Sequence, residues 1–163
     1  MKAVPKKNNE IIEANDQISS NHLKLIDATI ETIAARGLAD TTIAHVAKKA
    51  GVSQGYANFK FKSKENLLLS SLQYLSDEYK SSWQSIFEEK NLDPLDRILR
   101  ILDNDFSKKI ANRNKISVWV AFYSEVKFRP SYLNICQHQD DIYSNQMEKL
   151  IKELNHLTKQ TNF

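Results

Sequence analysis

The 163 residues include only three Gly and three Pro, with 41% hydrophobic and 26% charged residues, a balance that fits a folded, mostly helical chain and leaves a sheet-rich protein short of turn residues. A single cysteine, Cys136, excludes an intrachain disulfide and a multi-cysteine metal site, and no run approaches the about 18 uninterrupted apolar residues of a membrane span. The net charge of +3 is unevenly spread: residues 1–64 carry ten Lys or Arg against six Asp or Glu, and residues 65–163 carry thirteen against fourteen.

Residues 1–18, opening MKAVPKKNNEIIEANDQ, lack the apolar centre of a secretory signal and read as a short flexible arm, with a cytoplasmic location as the default. A first helix is predicted over about Ser20–Arg36, where Leu23, Ile26, Ile30, Ile33 and Ala34 recur at intervals of three and four. Ser19, Ser20 or Asn21 can cap its start, and Gly37 can end it in the left-handed conformation. A short helix follows at about Thr42–Lys49, capped by Thr41 or Thr42, with Ile43, Val46 and Ala47 inward. Ala50, Gly51 and Val52 make a tight connection to Ser53, which caps another short helix through about Phe59. Ala47 and Ala50 allow close helix approach, Gly51 supplies a positive φ, and Val52 plugs the centre.

Two short helices joined by about four residues, with a third packed behind, form a helix-turn-helix. The same spacing occurs in apolar helical hairpins that bind nothing. The charge pattern favours the DNA-binding version: residues 41–64 hold Lys48, Lys49, Lys60, Lys62 and Lys64 and no Asp or Glu.

From Ser63 a long helix runs to about Glu89, with Leu67, Leu68, Leu72, Leu75, Tyr79, Trp83, Ile86 and Phe87 along its seam. Asp93 before Pro94 restarts a helix. Another spans about Asn112–Lys127, and Pro130 opens the last, packed through Leu133, Met147, Leu150, Ile151 and Leu154. The expected architecture is all-α. A three-helix DNA-binding head over residues 19–64 joins an antiparallel helical-bundle regulatory domain over residues 65–163.

In this reading the helix opened by Ser53 enters the major groove by its N-terminal end, where backbone N–H groups meet a phosphate. Gln54 can pair bidentately with adenine, and Tyr56 can reach a base edge or a thymine methyl. Lys60, Lys62 and Lys64 attract phosphates without reading sequence, and Thr41 or Thr42 adds a phosphate contact while capping. The bland alternative makes the threonines caps only and the lysines solubilising groups. Phe61 is expected to anchor the motif against the first helix, while Phe59 faces either the core or deoxyribose.

The stretch TTIAHVAKKAGVSQGYANFKFKSKENLL resembles the second helix, turn, recognition helix and opening of the fourth helix in the TetR family of bacterial repressors. The resemblance rests on Thr42, Ile43, Ala47, Ala50, Gly51, Val52, Ser53, Gly55, Phe61, Lys64, Glu65 and Leu67. It implies that Ser53, Gln54, Tyr56, Asn58 and Phe59 face DNA and that Lys64 meets phosphate. Asn58 and Lys60 depart from the aromatic residues common at those positions. The body, through Trp119, Ala121, Phe122, Pro130, Leu133 and Asn145, is similar to the choline-responsive BetI branch. That likeness implies a homodimer on a double-stranded palindromic operator, released by a small-molecule effector. Relatives carry a further C-terminal dimer-interface helix, most or all of which this chain, ending at Phe163, is expected to lack.

A quaternary ammonium effector would need aromatic faces. Trp83, Phe87, Trp119, Phe122 and Tyr123 supply them, with Trp83/Phe87 and Trp119/Tyr123 each four residues apart; the competing account is that the rings fill the core. Glu125 is the nearby acid by sequence. His22, His45, His138 and His156 show no ligand spacing, and no phosphate loop or catalytic set stands out, so neither an enzyme nor a cofactor is expected.

Overall fold

No Gly or Pro interrupts the chain from Lys6 to Arg36, and the computed structural model, which describes residues 6–161 and the side-chain surroundings of residues 20–159, makes that whole run one helix, α1 (Lys6–Arg36). The arm expected over residues 1–18 is therefore helical backbone from Lys6 onward, and its first five residues lie outside the described ones. Six helices follow: α2 (Ile43–Ala50), α3 (Gln54–Phe61), α4 (Lys64–Glu88), α5 (Pro94–Asp105), α6 (Arg113–Glu125) and α7 (Pro130–Thr161). The described residues contain no strand. The chain divides into two compact units between Ser71 and Leu72, inside α4 and later than the expected boundary after residue 64.

The first unit buries Leu25, Ile26, Ile30 and Ile33 of α1, Val46 and Ala47 of α2, Ala57 and Phe61 of α3, and Leu67 and Leu68 of α4. Leu23, placed by periodicity on this face, is exposed. The face is instead widened by Thr29 and Thr32, whose hydroxyls donate to the carbonyls of Leu25 and Ala28 at 2.6 Å, so their burial leaves no polar group unmet. Gly37 ends α1 at φ 77° and Gly51 ends α2 at φ 67°, both as the sequence requires. Val52 is only half-buried, and its N–H closes the α2 cap on the Ala47 carbonyl.

The second unit is built from Leu72 onward, with Trp83, Ile101, Val118, Phe122, Tyr132, Cys136 and Leu150 among its buried side chains. Asp93 caps α5 by accepting from the Leu95 N–H at 2.8 Å, ahead of Pro94 in the first turn. Asn112 caps α6 through the Lys115 N–H at 3.0 Å. Leu133 and Ile151, expected to pack, are exposed on α7. Arg97 is buried because Glu153 pairs with it at 2.5 Å and the Phe87 carbonyl accepts from it at 3.3 Å.

Candidate nucleic-acid interface and ligand cavity

Two side-chain caps give the first unit its short helices. Thr42 accepts from the His45 N–H at 3.2 Å to open α2, and Ser53 accepts from the Tyr56 N–H at 3.1 Å to open α3. The alternative of Thr41 as cap and phosphate contact fails. Thr41 is fully buried, and its hydroxyl donates back to the Gly37 carbonyl at 2.8 Å, so it supports the turn from beneath.

The leading turn of α3 faces outward. Ser53, Gln54 and Gly55 are exposed, as are Asn58, Phe59 and Lys60; Tyr56 is half-buried. Phe59 is 81% exposed, which rejects the core alternative for this ring. Ala57 and Phe61 turn the other way and are buried, with Phe61 stacked on His22 of α1 at 5.2 Å between ring centroids. This contact fixes the end of α3 on α1, the anchoring role expected of Phe61.

The five lysines separate into two groups. Lys49 pairs with Glu31 at 2.8 Å, and Lys64 donates to the Ala39 carbonyl at 2.6 Å. Lys48, Lys60 and Lys62 have no ion pair or side-chain hydrogen bond among the described residues and remain exposed, Lys48 in the last turn of α2, Lys60 in the last turn of α3 and Lys62 at its C-cap. Lys62 is also the only described non-glycine with positive φ, at 65°. The Ser63 N–H donates to the Phe61 carbonyl at 2.7 Å, closing a strained three-residue turn around it. His45 is exposed, with Nδ1 at 3.1 Å from the Asp40 carbonyl.

The second unit splits the five predicted effector aromatics. Trp119 and Tyr123, with ring centroids 6.1 Å apart on α6, line a cavity of about 260 Å³ together with Tyr79, Asp105, Gln139 and Asp140. Trp83 and Phe87 belong to a separate depression whose wall includes Lys80 and Glu88, and Trp83 spends its faces on Tyr79, Phe87 and Tyr143. Phe122 lines neither. It is fully buried and packs edge-on against Tyr132 at 4.9 Å, so the core account holds for this ring.

Both cavity carboxylates are held by tyrosines. Asp105 accepts from Tyr79 at 3.2 Å and from Tyr143 at 2.6 Å; Asp140 accepts from Tyr123 at 2.9 and 2.7 Å. Burial, with the adjoining carboxylate, pushes all three phenols above their ordinary range, so they stay protonated and donating. The Cys136 thiol is pushed up to about 11 by burial and by Asp140, which leaves it an inert packing group, as expected of a lone cysteine.

Sequence reasoning missed Asp105, Gln139 and Asp140, and counted Tyr79 only as part of an apolar seam. Asp140 lies 17 residues from Tyr123 and Asp105 lies 26 from Tyr79, so no local spacing marks either pair. Glu125, the acid that sequence proximity suggested, pairs instead with Arg129 at 3.5 Å.

Residues 25–70 match the family described as "Bacterial regulatory proteins, tetR family". The chain is 33% identical over 127 residues to the HTH-type transcriptional regulator BetI 1 of Chromohalobacter salexigens, covering 71% of this chain and 63% of that protein. It is 30% identical over 134 residues to BetI of Stenotrophomonas maltophilia, covering 82% and 68%. It thus spans between half and about two-thirds of the length of these and similar curated relatives. A transcriptional regulator from Saccharomonospora viridis, solved in complex with choline, shares the fold with a TM-score of 0.75 at 19% identity, over 85% of this chain and 72% of that one. No helix among the described residues is long and apolar enough to cross a membrane. The outward α3 turn, the helix-turn-helix around it and these relatives agree: the chain belongs to the TetR family of bacterial transcriptional regulators, in its BetI branch, and is not an enzyme.

Proposed function

We propose that this chain is a sequence-specific repressor that binds a palindromic operator as a two-fold dimer and leaves it when a small organic cation binds the second unit. One observation carries the DNA half: α3 exposes its leading turn, and Lys60 in its last turn, Lys62 at its C-cap and Lys48 in the last turn of α2 are exposed and have no ion pair among the described residues. An exposed leading turn suits groove entry, and free ammonium groups at the far end of the same helix and on its neighbour suit phosphate attraction. Ser53, Thr42 and Lys64 position the helix and meet backbone phosphates; Gln54, Tyr56, Asn58 and Phe59 face the bases. In a dimer the two helices would address half-sites about 34 Å apart.

The effector half draws on the cavity of Trp119, Tyr123 and Tyr79, whose wall holds two Asp and no Lys or Arg. Aromatic faces beside uncompensated carboxylates suit a cation. The choline held by the Saccharomonospora viridis regulator supports the same ligand class.

Genomic DNA selection followed by footprinting tests the first half. A single palindromic sequence bound far more tightly than its shuffled duplex at the same salt is expected; equal affinity for both would leave a helical interaction protein without operator recognition. For the second half, organic cations are titrated against the operator complex. If saturating cation changes neither DNA affinity nor melting temperature, the regulator does not respond to this ligand class.

A further inference from the structure

The wall of the Trp119 cavity carries more hydrogen-bond acceptors than a quaternary ammonium can use. Tyr79, Tyr123 and Tyr143 spend their hydroxyl protons on Asp105 and Asp140, yet an ionised carboxylate accepts up to about four bonds. Gln139, only 6% exposed, lines the same wall, and its Oε1 has no hydrogen-bond partner among the described residues. A quaternary ammonium head brings charge and apolar surface but no N–H, so it pairs with none of these acceptors, and the one hydroxyl of choline serves at most one of them. A protonated primary amine brings three donors at each head.

The two carboxylates also occupy different places. Asp105 ends α5 and is held by Tyr79 and Tyr143; Asp140 lies within α7 and is held by Tyr123. The two acidic groups thus reach the cavity from different helices, and Trp119 lines the same cavity with an apolar ring that can take a methylene stem.

Resting on the cationic-effector reading above, we propose that the site is built for a cation with N–H donors at two heads, a linear diamine, one ammonium meeting Asp105 and the other Asp140 and Gln139. Quaternary ammonium ions are the weaker ligands of this cavity.

Isothermal titration calorimetry of the full chain tests this with linear α,ω-diamines from 1,3-diaminopropane to 1,6-diaminohexane, the bis(trimethylammonium) counterpart of each, and choline. At least one diamine is expected to bind one per chain, about tenfold or more tighter than its quaternary counterpart. Asp140→Asn should weaken that diamine about tenfold while the helical signal and melting temperature hold, and Gln139→Leu should weaken the diamine more than choline. If choline or a bis-quaternary compound matches or exceeds every diamine, or if Asp140→Asn leaves the diamine unaffected, the inference falls and the cationic-effector reading survives. If no cation binds, both fall.

Discussion

Lys64, the first residue of α4, donates to the backbone carbonyl of Ala39 at 2.6 Å and so ties the α1–α2 turn to the end of the helix-turn-helix. Lys49 is committed in the same way to Glu31 at 2.8 Å. The acid-free run of residues 41–64 therefore contains both structural and uncommitted lysines, and these should respond differently to substitution. Lys60→Ala is expected to reduce the slope of log affinity against log salt by about one phosphate contact, across all duplex sequences. Lys49→Ala should leave that slope nearly unchanged. Fluorescence anisotropy over a salt series checks both, and a similar loss of slope for the two would show that Lys49 leaves Glu31 for DNA.

Lys62 combines charge with backbone strain, and two substitutions separate them. Its φ of 65° is one an L side chain rarely adopts. Lys62→Gly removes both the strain and the ammonium, so stability should rise by about 1 kcal/mol while DNA affinity falls. Lys62→Ala removes only the charge, so affinity should fall alike with stability little changed. Denaturant titration beside operator binding distinguishes them. A glycine variant no more stable than the alanine variant would mean that the turn is relaxed.

Much of the first unit was legible because its signals are local. Thr42, Gly51 and Ser53 act on neighbours within a few residues, and hydrophobic spacing with capping chemistry names such positions directly. Thr41 was misplaced because two adjacent threonines offer the same cap, and only the fold decides which one turns inward to Gly37. The second unit was legible as helices but not as a cavity. Trp119 and Phe122 are three residues apart on one helix and look alike as ligand-facing rings, yet one lines the cavity and the other is buried on Tyr132. Which side of α6 is hollow depends on α4, α5 and α7, whose contributions, Tyr79, Asp105 and Asp140, are separated in sequence by whole helices.

His22 predicts a pH dependence of the first unit. Its ring stacks on Phe61, and its Nδ1 is buried with no hydrogen-bond partner among the described residues. Burial, and then the charge of Lys60, hold its pKa below the ordinary 6.5. The unfolded chain therefore binds the proton more readily, and stability rises with pH across the interval between the two values. The contribution is fully present above about 6.5, is lost as pH falls from there toward the folded value, and levels off below it. His22→Phe, which keeps a ring against Phe61, should melt with a weaker dependence between about pH 7.5 and about pH 5.5. Parallel melting curves for the two proteins across that interval would remove His22 as the cause.

Phe122 and Trp119 should part company when each is truncated. Phe122 is fully enclosed and edge-on to Tyr132, so Phe122→Ala leaves a void that helix packing fills poorly and should cost about 3–5 kcal/mol. Trp119 already borders empty volume, so Trp119→Leu gives up less packing and should cost under about 2 kcal/mol. Its larger effect should be on ligand affinity, since Leu offers no π face to a cation. Chemical denaturation and cation titration on both variants form one test. A Trp119 variant as unstable as the Phe122 variant, with ligand affinity intact, would make Trp119 a core ring and leave only Tyr79 and Tyr123 as the aromatic wall of the cavity.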